Sequence, residues 1–172
     1  MKKLLVVVDY QNDFVTGALG FARAIDLETK ICDRIIEFEN NGDDVVFTLD
    51  THYNDYMQTE EGQNLPIAHC IKGTSGHELY GNVKELAVMH PQFEKLTFPS
   101  SELLTYLQKH SYDVVELCGV VTNICVISNA IIAKAALPNA HIVVNQTLSA
   151  SNDESMETLS IQVMKNLHIE II

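Results

Sequence analysis

Cys125 closes the run Asp113-Val-Val-Glu-Leu-Cys-Gly-Val-Val-Thr-Asn-Ile-Cys125, a strand-like segment that breaks through Gly119 into a helix starting just before the cysteine. A thiol at that address meets unpaired backbone N–H groups and the positive end of a helix dipole. Both favour thiolate, which makes Cys125 a candidate nucleophile. The opposing reading is that a free cysteine in an apolar segment is a small buried hydrophobe, and Cys118, within Val114-Val-Glu-Leu-Cys118, fits it. Cys125 needs partners elsewhere in the chain. Asp9, directly after Leu4-Leu-Val-Val-Val8, is the candidate base, and Lys95 is the cation that would hold both anions in place. A second constellation is Asp50-Thr-His52 with His69 further along. One carboxylate and two imidazoles can ligate a divalent ion such as zinc, manganese or iron and leave positions open, with Glu60 or Glu61 as a fourth ligand. His77, His90, His110, His141 and His168 belong to no such group and read as surface or structural residues.

The elements that must position these residues alternate along the chain. Apolar runs predict strands at 4–8, 45–49, about 93–98, 113–118, 141–144 and 168–172. Helical spacing appears at 25–39, through Leu103, Leu104 and Leu107, over 123–136, and after the capping pair Asn152-Asp153. Repeated strand-helix-strand units with right-handed crossovers imply a three-layer α/β/α, Rossmann-like fold around a mostly parallel sheet of about six strands. Ligands of such sheets bind beyond the carboxyl ends of the strands. Asp9, Asp50 and Gly119 each follow a predicted strand and Lys95 lies near the third, so the candidate residues share one edge. Residues 51–92 carry Gly62, Pro66, Gly73, Gly76 and Gly81, and a loop of that length in a compact domain is a functional one.

Size and charge narrow the classes. A chain of 172 residues is the size of one domain, taken here as 1–172. Lys+Arg 11 against Asp+Glu 23 gives a net charge of -12 with no basic cluster, which argues against nucleic acid and anionic membrane as partners. The first strand ends in Asp9-Tyr-Gln-Asn, not in a glycine-rich phosphate loop, which argues against a flavodoxin-like nucleotide binder. The apolar run after Lys2 and Lys3 stops at Asp9, too short for a signal core or a membrane span. Four cysteines in dissimilar contexts suit reduced thiols, and a cytoplasmic location is expected.

The chain resembles the cysteine hydrolases of the isochorismatase-like superfamily, which includes nicotinamidases. The resemblance is carried by Val8-Asp9-Tyr-Gln-Asn-Asp-Phe14, Thr48-Leu-Asp50-Thr-His52, the segment from Leu65-Pro66 through His69-Cys70-Ile-Lys-Gly73-Thr74-Ser-Gly76-His-Glu-Leu79, Lys95, and Gly119-Val-Val-Thr122-Asn123-Ile-Cys125. It implies Asp9 as general base, Lys95 as its charge partner and Cys125 as nucleophile, with a cis peptide between Val120 and Val121 and an oxyanion hole from the N–H groups of Val121 and Cys125. In the nicotinamidase branch the residues matching Asp50, His52 and His69 bind a metal, with a further ligand from the intervening loop. Glu61 is preferred over Glu60 because Gly62 after it would let the backbone turn toward the site. The resemblance implies hydrolysis of a small carboxamide through a thioester, no organic cofactor, and a homodimer or larger assembly. The thiol points away from isochorismate cleavage. The alternatives are an N-carbamoyl, ureido or other small-amide hydrolase, isochorismatase-type activity, and a non-catalytic binding member of the same fold. Leu65 stands before the loop proline where nicotinamidases often have an aromatic residue, the Pro66-Ile-Ala-His69 segment is one residue longer, and Phe14, Leu19 and Phe21 are candidates for an apolar pocket.

Overall fold

The structure, a computed structural model, describes residues 1–172. Six strands form one sheet: β1 Lys3–Val8, β2 Asp44–Asp50, β3 Gln92–Lys95, β4 Val114–Val120, β5 His141–Ala150 and β6 Glu170–Ile171. Every pairing is parallel and the order is β3-β2-β1-β4-β5-β6. The expected α/β/α architecture is present. This order reverses direction between β1 and β4, and such a switch point opens a crevice at the carboxyl ends of the two strands. Asp9 follows one of these strands and the segment leading to Cys125 follows the other.

The helices are α1 Asn12–Val15, α2 Ala22–Ile25, α3 Glu28–Asn40, α4 Glu60–Asn64, α5 Gly81–Leu86, α6 Ser101–Lys109, α7 Ile127–Ala136 and α8 Glu154–Asn166. Alternation along β1 sends Leu5 and Val7 to one face, where they pack with Ile31, Ile35 and Phe38 of α3. Leu4, Val6 and Val8 face the other layer with Leu103, Leu107, Ala130, Ala133 and Met164 from α6, α7 and α8. Side-chain caps start three helices: Thr59 accepts the Gly62 N–H, Ser100 that of Leu103 and Asp153 that of Met156.

Several boundaries move. The helix expected at 25–39 is two pieces, α2 and α3, and Ile25 and Ile36 are exposed. β3 is only four residues long and ends on Lys95, and β5 runs six residues past Val144. β4 does not stop before Gly119. It continues to Val120 with a register shift between Leu117 and Gly119, and Gly119 has φ 112°. A side chain at 119 would place Cβ 2.1 Å from Val8 O, so glycine here serves the close approach of β4 to β1 rather than ending the strand.

Candidate active site

The segment after β4 enters its helix through a π turn at Thr122–Val126, and only then does α7 begin. Cys125 therefore sits inside a π turn, a widened register that recurs at functional sites. The peptide Val120-Val121 is cis, as the resemblance implies.

Lys95, at the end of β3, is the hub beside this turn, with its side chain 1% exposed. Its ammonium donates to Asp50 Oδ1 at 3.0 Å, to Thr97 O at 3.1 Å and to Cys125 Sγ at 3.7 Å. It also lies 2.7 Å from Asp9 Oδ2. Asp9 Oδ1 accepts the Thr48 hydroxyl at 2.6 Å, while Oδ2 receives no directed hydrogen bond. At 2.7 Å the Lys95 ammonium and Asp9 form a buried ion pair.

Burial dominates the electrostatics of Cys125 and Asp9. It pushes the Cys125 thiol well up, and the Lys95 charge opposes this without overcoming it. This upward push opposes the thiolate expected from the helix dipole alone, because Cys125, only 5% exposed, is desolvated. Burial also raises the Asp9 carboxyl against the lowering effect of Lys95, whereas the nearby anions hold Lys95 well above its usual range despite its own burial.

The second constellation adjoins the first. Asp50 Oδ2 lies 3.0 Å from His52 Nε2 and 3.3 Å from His69 Nε2. Glu61 Oε1 lies 3.5 Å and 3.8 Å from the same two nitrogens. One ligand atom from each of Asp50, His52, Glu61 and His69 falls within 4.8 Å of all the others. His69 Nδ1 is 2.8 Å from Ile67 O, an arrangement in which Nδ1 carries a proton, the carbonyl orients the ring and Nε2 faces the cluster. Two imidazole nitrogens and two carboxylate oxygens are a donor set for a divalent metal ion, and these residues fit one. Glu60 is outside it, bonded to Asn64 at 2.7 Å on the surface. The reason for Glu61 differs from the expected one. Gly62 makes no unusual turn, but a Cβ there would meet Tyr56 O at 2.0 Å, so glycine lets α4 press against the backbone of Tyr56, whose ring flanks both histidines.

Above Cys125 is a cavity of about 190 Å³. Phe14, Leu19, Leu65, Phe98, Val121 and Ile124 form its apolar wall, Asp50, Glu61, His69 and Cys125 lie on its polar side, and Asn152 also lines it. Phe21 packs on the hydrophobic core and does not line this cavity. Phe98, Ile124 and Asn152 carry no signal in the sequence that separates them from core or loop residues. Gln11 is fully buried, and its amide finds the partners it needs: its Nε2 donates to Asp50 O at 2.9 Å and to His77 O at 2.8 Å, and its Oε1 accepts the Asp50 N–H at 2.8 Å. The Asp50 backbone is clamped from both sides. His77 is structural, with Nε2 2.8 Å from Thr51 Oγ1.

An α/β/α domain whose switch-point crevice joins a Cys-Asp-Lys group to an Asp-His-Glu-His cluster has the outline of an isochorismatase-like protein. Residues 3–172 match the isochorismatase domain, and the chain belongs to the isochorismatase family. Among its relatives, a Bacillus subtilis (strain 168) protein described as an uncharacterized isochorismatase family protein, PncA, is 34% identical over 143 residues, 76% of this chain and 78% of that one. The crystal structure of nicotinamidase PncA from Bacillus subtilis superposes with a TM-score of 0.87 at 30% identity, covering 99% of both chains. That of N-carbamoylsarcosine amidase from Thermoplasma acidophilum gives 0.81 at 26% identity over 99% of this chain and 95% of that one. No helix is long and apolar enough to cross a membrane.

Proposed function

We propose that the protein is a nicotinamidase-like amidohydrolase that cleaves the C–N bond of a small, flat carboxamide through a thioester on Cys125. The observation that carries this reading is the buried triad itself, in which the Lys95 ammonium lies 2.7 Å from Asp9 Oδ2 and 3.7 Å from Cys125 Sγ. Asp9 takes the thiol proton and Sγ attacks the carboxamide carbon, so the new charge pair is formed beside a fixed ammonium. The carbonyl oxygen becomes an oxyanion held by the N–H groups of Val121 and Cys125, each worth about 3 kcal/mol in comparable sites. Asp9 returns its proton to the nitrogen, ammonia departs, and the acyl group stays on sulfur. Water, deprotonated by Asp9, attacks the thioester, and the acid leaves as Cys125 regains its proton.

Asp50, His52, Glu61 and His69 would hold one divalent ion, zinc, manganese or iron, which when bound offers a Lewis-acid contact to a ring nitrogen of the substrate. With Leu65 at the wall, Phe14 and Phe98 supply the aromatic surface for the ring. Leu65 also favours a second reading, an N-carbamoyl or ureido substrate that needs no ring stacking. Four free cysteines suit a cytoplasmic setting. The exposed stripe Met156, Leu159, Val163 and Leu167, at helical spacing from α8 onward, favours assembly as a homodimer or larger, which light scattering of the purified protein tests.

A panel assay tests the activity. Ammonia release from nicotinamide, with none from N-carbamoyl amines and none by Cys125→Ala or Asp9→Asn, supports the first reading. The reverse substrate order supports the second, and undiminished turnover by either variant refutes the mechanism.

A further inference from the structure

Asn129 lies on α7 one turn beyond Cys125 and is fully buried. Its amide nitrogen donates to Cys125 O at 2.8 Å and to Phe98 O at 3.1 Å, and its Oδ1 accepts the Ser100 N–H at 3.0 Å. Both of its N–H donors are used. The three bonds join two separate segments, the helix that carries Cys125 and the connection that leaves β3 for α6.

That connection is pinned at both ends. Thr97 O accepts from Lys95 Nζ at 3.1 Å, and Ser100 caps α6 through the Leu103 N–H at 3.1 Å. Between them stands Phe98, whose ring is not locked by the core: the residue is 42% exposed. Phe98 lines the 190 Å³ cavity above Cys125, and on its other side it lines a polar cavity of about 420 Å³ edged by Thr51, Tyr53 and Glu60. Phe98 and Glu61 are the residues common to the two cavities. The backbone of Phe98 is thus held by Asn129 at the point where the side chain partitions one space from the other.

We infer that Asn129 is a positioning residue that sets substrate size, by fixing Phe98 as the wall between the two cavities. The inference rests on the amidohydrolase reading and adds to it a restriction to single-ring carboxamides. With the bond to Phe98 O gone, the wall shifts and the two cavities merge. A single-ring amide then loses contact surface, and a fused-ring amide gains room.

A double-mutant cycle over Asn129→Ala and Phe98→Ala tests this. With nicotinamide, each single variant is expected to raise KM about tenfold while kcat changes less than about threefold, the pattern of lost uniform binding. Quinoline-3-carboxamide is expected to improve relative to nicotinamide in both. In the Phe98→Ala background, Asn129→Ala is expected to add nothing. Asn129→Ser guards against misfolding of the alanine variant: its hydroxyl can still bond Cys125 O four residues back but is too short for Phe98 O and Ser100 N–H, so it too is expected to raise KM. Additive effects in the cycle, a fall in kcat at constant KM, or a native KM for Asn129→Ser overturns the inference. If the native protein hydrolyses no carboxamide, the amidohydrolase reading falls separately. The cycle is then read from alkylation of Cys125, in which sulfur displaces iodide, as the rate with N-benzyl iodoacetamide over that with iodoacetamide. Asn129→Ala must change that ratio with Phe98 present and leave it unchanged in Phe98→Ala; any other pattern overturns the inference.

Discussion

Asp50 turns one carboxylate oxygen to the Lys95 ammonium, 3.0 Å away, and the other to the imidazoles of His52 and His69. One carboxylate thereby joins the group that contains the thiol to the group that can hold a metal. Burial acts to raise its pKa, but hydrogen bonds from the two histidines and the charge of Lys95 outweigh it and hold Asp50 below the usual carboxylate range.

Lys95→Met is expected to destabilise the fold by about 3 to 5 kcal/mol at neutral pH, because Asp9 and Asp50 lose the cation that compensates their buried charge. Acid should recover part of the loss. Burial already raises the Asp9 carboxyl, and without Lys95 its folded pKa rises further above the unfolded value. The folded variant then binds the proton more tightly than the unfolded chain does, so the deficit shrinks as pH falls through the folded pKa. Urea unfolding at neutral and mildly acidic pH measures both effects. An equal deficit at the two pH values would show that Asp9 is not the uncompensated group.

Thr48→Val removes the 2.6 Å hydroxyl bond to Asp9 Oδ1, a bond that favours the carboxylate form. Asp9 is expected to hold its proton more tightly. Since the base acts deprotonated, the acid limb of kcat/KM should move to higher pH, by about one unit if the bond contributes roughly 1.5 kcal/mol. Thr48→Ser keeps the hydroxyl and should keep the native limb. A pH-rate profile of the three proteins decides the matter, and a limb that stays in place in Thr48→Val would dissociate Asp9 from the rate.

Glu61→Gln is expected to lose most bound divalent metal, and Glu60→Gln none, because Glu61 alone of the two reaches the histidine nitrogens. Elemental analysis after dialysis against zinc, manganese or iron measures this. Equal metal content in the two variants would remove Glu61 from the ligand set.

The sheet and its chemical edge were legible because apolar strands of β-branched residues end abruptly in charged ones, as at Val8-Asp9 and Leu49-Asp50. Cys118 and Cys125 separate by position alone: Cys118 packs in the core layer that contains α3, while Cys125 reaches the cavity. The upward push on the Cys125 thiol is not legible in sequence, since it follows from the depth of burial and from which charges lie within a few ångströms. In sequence Gly119 looks like a break and Gly62 like a turn, yet both serve close contacts with a neighbouring carbonyl that no local pattern reveals. Phe98 and Asn129 escaped for the same reason: their importance lies in contacts between segments about 30 residues apart in sequence, as in the Asn129 bond to Phe98 O.

The proposed mechanism stands on a covalent bond between the amide carbon and Cys125. Nicotinamide mixed with the protein and quenched in acid within the first turnovers, followed by peptide mass spectrometry, tests it directly. A nicotinoyl adduct is expected on the peptide containing Cys125, absent from Cys125→Ser and persisting when water attack is slowed. Steady release of nicotinate and ammonia with no acyl group on Cys125 at any quench time would contradict it.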